Sequence, residues 1–132
     1  MEINYELLVK TAYEATKMAY TPYSHFNVGA ALLTKGGKIY TGCNIENAAY
    51  GAVNCAERTA FFKAISEGEK EFVAIAVVSS SNDYTYPCGI CRQVMAEFCD
   101  ETMEVILAKE MDYKVFTLKE MLPYSFTSKD LK

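Results

Sequence analysis

The run Phe72-Val73-Ala74-Ile75-Ala76-Val77-Val78-Ser79 is apolar at almost every position. A strand with one wet face alternates apolar and polar residues. An unbroken apolar run of this length needs cover on both faces, which makes it a central strand. The chain must therefore supply layers above and below a sheet. The rest of the sequence offers them, because helical patterns alternate with strand patterns along its length. This order predicts an α/β chain with a three-layer α/β/α arrangement around a mixed five-stranded sheet, one domain over residues 1–132.

Leu7, Leu8, Thr11, Ala12, Ala15, Met18 and Ala19 recur at helical spacing. Asn4 fits as N-cap, with Ile3 and Leu8 as the hydrophobic staple around it. The spacing predicts a helix that stops before Thr21-Pro22, since the residue preceding proline avoids helical angles. A hairpin follows, with Phe26 to Leu33 as one strand, Lys35-Gly36-Gly37 as the turn and Lys38 to Cys43 as the return strand. The second helix is expected from Asn54 to Glu67, with Ala60, Phe61, Ala64 and Ile65 inward and Gly68 at its C-terminal cap. After the central strand, a third helix begins near Pro87 and ends near Cys99. Glu104 to Ala108 and Tyr113 to Thr117 are further strands. Thr117 and Glu120 fit the capping box of a short helix that Pro123 stops.

Three of the five cysteines fall at the starts of two of these helices. Cys55 opens the second, and Cys88 and Cys91 open the third. Residues three apart on a helix share a face, and first-turn side chains lean toward the N-terminus. If both helix ends point at one spot, three sulfurs meet there, and the positive ends of the helices favour thiolates. Zinc accepts such a set, and three protein ligands leave a fourth position for water. Glu57 would stand beside the ion without binding it, where a proton shuttle belongs. Arg58 shares the face of Cys55 and could offset the negative charge of the sulfurs. A lone Cys-x-x-Cys also marks redox pairs and structural zinc sites. Cys43, Cys99 or His25 could close such a site with a fourth ligand. A thioredoxin-like role leaves Cys55-Ala56-Glu57 unexplained, whereas the joint pattern accounts for both helix starts.

The joint pattern resembles the small, homo-oligomeric, zinc-dependent cytidine deaminases, over about Ala19 to Leu131. The resemblance rests on Tyr20-Thr21-Pro22-Tyr23-Ser24, Phe26-x-Val28-Gly29-Ala30-Ala31, Gly42-Cys43-Asn44-Ile45-Glu46-Asn47-Ala48, Cys55-Ala56-Glu57-Arg58, Pro87-Cys88-Gly89-Ile90-Cys91-Arg92-Gln93, and Leu122-Pro123 with Phe126. It implies that Cys55, Cys88 and Cys91 hold zinc. It implies that Glu57 takes a proton from the attacking water, protonates the ring nitrogen and hands a proton to the leaving ammonia, while the oxygen attacks C4 of the pyrimidine. By the same resemblance Asn44 and Glu46 bind the sugar, Phe26 packs against the base, and the backbone of Ala56 contacts the pyrimidine. Arg58 and Gln93 are implied partners of the thiolates. Tyr50 and Phe126 are implied to close pockets shared between the subunits of a homotetramer. The substrates implied are cytidine and 2'-deoxycytidine, in pyrimidine salvage. One departure is Tyr124-Ser125, where the family often has Gly-Ala; it bears on the path of the last segment.

Charge separates this expectation from its neighbours. The net charge of −4 argues against a nucleic-acid partner, since phosphate backbones are held by clustered Lys and Arg. An editing deaminase acting on a strand would share the zinc chemistry but want a basic channel. No apolar run reaches the roughly 20 residues of a membrane span, and Met1-Glu2-Ile3-Asn4 has no basic start or apolar signal core. A cytoplasmic protein without a membrane partner is expected.

Overall fold

The structure is a computed structural model describing residues 1–131. The apolar run becomes β3 (Phe72–Ser79), and it lies in the middle of a five-stranded sheet. The other strands are β1 (Val28–Thr34), β2 (Ile39–Cys43), β4 (Glu104–Lys109) and β5 (Asp112–Thr117), in the order β2-β1-β3-β4-β5. Only β3 and β4 run parallel; the other three neighbouring pairs are antiparallel, so the sheet is mixed as expected.

The pleat sorts β3 between two cores. Ile75 and Val77 join Ala30, Leu32, Val105 and Leu107 on one face, under α2 (Ala56–Ser66), α3 (Gly89–Phe98) and α4 (Leu118–Met121). Ala74, Ala76 and Val78 join Ala31, Leu33, Ile106 and Ala108 on the other, under α1 (Tyr5–Thr16). These are the three layers. The α2 side is built around Phe61 and Met95, whereas the α1 side carries four alanines from the strands, so α1 rides close to the sheet.

Several expected boundaries move. Asn4 caps α1 by accepting from the Leu7 amide at 3.1 Å, but the helix ends at Thr16, well before Thr21-Pro22. The amides of Lys17, Met18 and Ala19 turn back three residues to Glu14, Ala15 and Thr16, and the Tyr20 amide leaves for the Asn44 carbonyl at 3.0 Å. The helix therefore closes in a local turn of i→i−3 bonds, and a tertiary bond then draws the chain away. Its inner face is Leu8, Val9 and Ala12, while Leu7 and Met18 are exposed. Phe26 lies before β1 rather than inside it. α2 and α3 each start one residue after a cysteine, so Cys55 and Cys88 are N-caps. Gly68 adopts φ +96°, the left-handed geometry that ends α2. The Thr117–Glu120 capping box is formed as the spacing predicts. Among the described residues no helix is long and apolar enough to cross a membrane.

Candidate metal centre

N-cap positions favour Ser, Thr, Asp or Asn, whose oxygen accepts from a backbone amide. Cys55 and Cys88 hold that position in α2 and α3 with extended backbone angles, and neither side chain makes a capping bond. The sulfurs turn to each other instead. Cys55 Sγ lies 3.7 Å from Cys88 Sγ, and Cys88 Sγ lies 3.4 Å from Cys91 Sγ. All three sulfurs fall within 4.8 Å of one another.

The start of α2 is set by the packing of this helix on β2. Gly42 lies beneath the first turns of α2, where a Cβ would stand 2.3 Å from the Ala56 carbonyl oxygen and 2.5 Å from the Ala60 nitrogen. Only a residue without a side chain lets the helix lie this close. A second fixture is Thr59, whose hydroxyl lies 3.0 Å from the Cys43 carbonyl and 3.2 Å from the Cys55 carbonyl. It ties the end of β2 to the residue that carries the first sulfur.

The donor set fits zinc. Sulfurs at about 2.3 Å from a tetrahedral ion lie about 3.8 Å apart, close to the spacings found here. Two helix N-termini add positive potential around the sulfurs. Cys55 is pulled down to about 5, chiefly by its hydrogen bond with Cys91, with Arg58 acting in the same direction. Cys91, 1% exposed, is pushed up by that same pairing and by burial. One thiolate is thus already favoured in the cluster. Arg58 Nη2 donates to Cys55 Sγ at 3.3 Å, and its buried Nε has no partner among the described residues. The expected contact between Arg58 and a sulfur is present.

Glu57 stands beside the cluster in the first turn of α2 and is not one of its donors. It is 4% exposed. Burial, with the negative charge of Cys55 beside it, raises its carboxyl to about 7. A carboxyl whose pKa burial raises toward neutrality is suited to taking up and returning a proton. Ala56, between the two, is fully buried.

The remaining expected residues fall around this centre with different partners. Asn44 leaves the end of β2, and its amide donates to the Phe26 carbonyl at 2.8 Å while its oxygen accepts from the Val28 amide at 2.9 Å. Glu46 accepts from the amides of Tyr23 and Ser24 at 3.0 and 3.2 Å. Its carboxyl is held below the usual range by the Ser24 hydroxyl. Glu46 and Tyr50 share the wall of a cavity of about 210 Å³ with Tyr23, Ser24, Asn47 and Val53. Phe26 is 39% exposed, Tyr50 80% and Phe126 60%. Phe126 lies in the tail after α4, and Tyr50 opens a short 3-10 turn.

Gln93 differs from expectation. Its amide donates to the Phe126 carbonyl at 2.7 Å and so holds the tail, not a thiolate. The helix explains this: two residues beyond Cys91, at about 100° each, Gln93 points to another side of α3. Arg92, which the sequence pattern leaves without a role, fixes the cysteine turn. Its Nε donates to the Pro87 carbonyl at 2.8 Å and its Nη1 to the Met121 carbonyl at 2.7 Å. Its sequence signal was its place beside Cys91, with nothing to indicate two carbonyl partners.

Comparison with known proteins gives a consistent result. The family model described as "Cytidine and deoxycytidylate deaminase zinc-binding region" matches residues 2–108. A cytidine deaminase of Halalkalibacterium halodurans is 52% identical over 127 residues, covering 96% of each chain. One of Sporosarcina psychrophila is 51% identical over 127 residues, covering 96% of this chain and 93% of the relative. A crystal structure of cytidine deaminase from Burkholderia pseudomallei superposes with a TM-score of 0.89 at 47% identity, covering 94% of this chain and 100% of that one.

Proposed function

The chain belongs to the cytidine and deoxycytidylate deaminase family, and from that premise we propose that it hydrolyses cytidine and 2'-deoxycytidine to uridine and 2'-deoxyuridine with release of ammonia, as a zinc enzyme of pyrimidine salvage. The observation that carries the reading is the pairing of three convergent sulfurs with a buried, non-ligating carboxyl beside them.

Cys55, Cys88 and Cys91 would hold the ion. When bound, zinc supplies Lewis acidity and a water nucleophile active near neutral pH. Glu57 moves the protons. It accepts one from the attacking water and delivers it to the ring nitrogen N3. Once the C4–O bond has formed, Glu57 takes the remaining proton of that oxygen and passes it to the amine as the C4–N bond breaks, so one water is consumed, one ammonia leaves and C4 becomes a carbonyl. Arg58 draws charge from Cys55. The backbone of Ala56 meets the pyrimidine, Phe26 packs on its face, and Asn44 and Glu46 face the sugar. Tyr50 and Phe126, both exposed, are read as closing the pockets of neighbouring subunits in a homotetramer.

The ultraviolet change on loss of the amine tests the reading with cytidine, 2'-deoxycytidine, free cytosine and a single-stranded cytosine-containing oligonucleotide. Turnover of the two nucleosides, with kcat/KM for cytosine far lower, is the expected result. The net charge of −4 offers no general attraction for a strand. Turnover of the oligonucleotide alone would replace the reading with an editing enzyme.

A further inference from the structure

Phe26 carries its ring outside the sheet, on a turn that the chain would not hold unaided. His25, just before it, has φ +59°, uncommon for a residue with a side chain. The peptide groups of Phe26 are fixed from both ends by side chains. Its amide donates to Ser24 Oγ at 3.1 Å, and its carbonyl accepts from Asn44 Nδ2 at 2.8 Å. The Ser24 hydroxyl has only one proton, and it goes to Glu46 Oε2 at 2.5 Å. Glu46 thereby orients the Ser24 oxygen so that a lone pair faces the Phe26 amide.

Glu46 itself is anchored to the metal centre. The segment Asn44–Glu46 is paired on one side with Tyr20, through bonds of 3.0 and 2.8 Å. On the other side Ile45 exchanges two bonds of 2.9 Å with Asn54, the residue immediately before Cys55. A continuous set of bonds thus runs from Cys55 through Asn54, Ile45, Glu46 and Ser24 to Phe26.

We propose that Ser24 is a positioning residue for pyrimidine recognition: its hydroxyl, oriented by Glu46, fixes the Phe26 peptide and so aims the Phe26 ring at the base. The proposal rests on the reading of Phe26 as the ring that meets the pyrimidine. It also gives Glu46 and Asn44 a role in base recognition that is separate from any contact with the sugar.

The experiment is a double-mutant cycle of Ser24→Ala and Phe26→Leu, read as KM and kcat for cytidine, with Ser24→Thr as the conservative variant. Ser24→Ala alone should raise KM about tenfold, equivalent to about 1.4 kcal/mol of substrate binding lost when the Phe26 ring is no longer held in place. It should leave kcat, zinc content and thermal midpoint near the parent, and Ser24→Thr should restore KM. In the Phe26→Leu background, Ser24→Ala should add less than about twofold, because residues acting through one another are not additive. A full tenfold loss in that background would overturn the proposal while leaving the base-facing ring intact. An unchanged KM in Ser24→Ala, or a fall in thermal midpoint that accounts for the loss, would also overturn it. An unchanged KM in Phe26→Leu alone would mark a different failure, that of the ring reading itself, and the Ser24 proposal would fall with it.

Discussion

In the proposed role, Glu57 must combine two properties that compete. Burial raises the cost of its charge, whereas a proton shuttle must hold that charge for part of each cycle. Its carboxyl, raised to about 7, sits between the two demands. Glu57→Gln keeps the volume and the neighbouring packing but cannot carry a proton. Its turnover should fall by about 10²–10⁴-fold, the usual worth of general acid–base catalysis, while zinc content stays at the parent level. Single-turnover assays on metal-quantified protein check this, and a variant within tenfold of the parent would remove Glu57 from the role. The residues of the sulfur cluster and its arginine neighbour were the most legible ones in the sequence. Cys55, Cys88, Cys91 and Arg58 are specified by spacing on helices, and spacing survives folding. Gln93 was not, because its partner is the carbonyl of Phe126, which the chain brings back from far along its length. Phe26 fits a strand pattern by composition, but it lies before β1, where its peptide groups bond to the side chains of Ser24 and Asn44.

At the scale of elements, the centre depends on where α2 begins and how closely it lies on β2. Gly42→Ala places a methyl against the Ala56 carbonyl and the Ala60 nitrogen, both of them backbone and unable to rotate away. Overpacking of this kind costs about 1–3 kcal/mol. α2 should shift outward, carrying Cys55 and Glu57 with it. A thermal midpoint lowered by several degrees, weaker zinc retention and reduced turnover are expected together in Gly42→Ala; an unchanged melting curve with full turnover would contradict the close-packing argument. Elements with strong local signals were legible: the central strand from its unbroken apolar run, the short helix from its capping box, the end of α2 from Gly68. The end of α1 was not. Its helical pattern runs on to Ala19, but the Tyr20 amide is claimed by the Asn44 carbonyl, a partner that no local pattern reveals. The strand order was equally out of reach of periodicity, since it depends on which edges meet.

At the scale of the molecule, several large side chains are left largely uncovered by the described residues. Tyr50, Ile90, Tyr124 and Phe126 are each more than half exposed, and Tyr124 stands fully in solvent at φ +54°. Contiguous apolar surface marks contact regions, and the proposed homotetramer with shared pockets would cover these side chains. Following oligomeric state and turnover through one dilution series tests it: activity should disappear as the subunits separate, with zinc still bound to each chain, whereas a fully active monomer would show that each chain completes its own site. The central claim, that Cys55, Cys88 and Cys91 hold a zinc ion on which cytidine hydrolysis depends, is tested most directly by measuring zinc per chain and cytidine turnover in the same samples, before chelation, after it, and after zinc is returned, in the parent and in Cys88→Ala and Cys91→Ala. The expected result is one ion per chain, turnover that is lost and regained with the metal, and little metal or turnover in either variant. Full turnover in zinc-free protein, or full zinc retention in both variants, would contradict it.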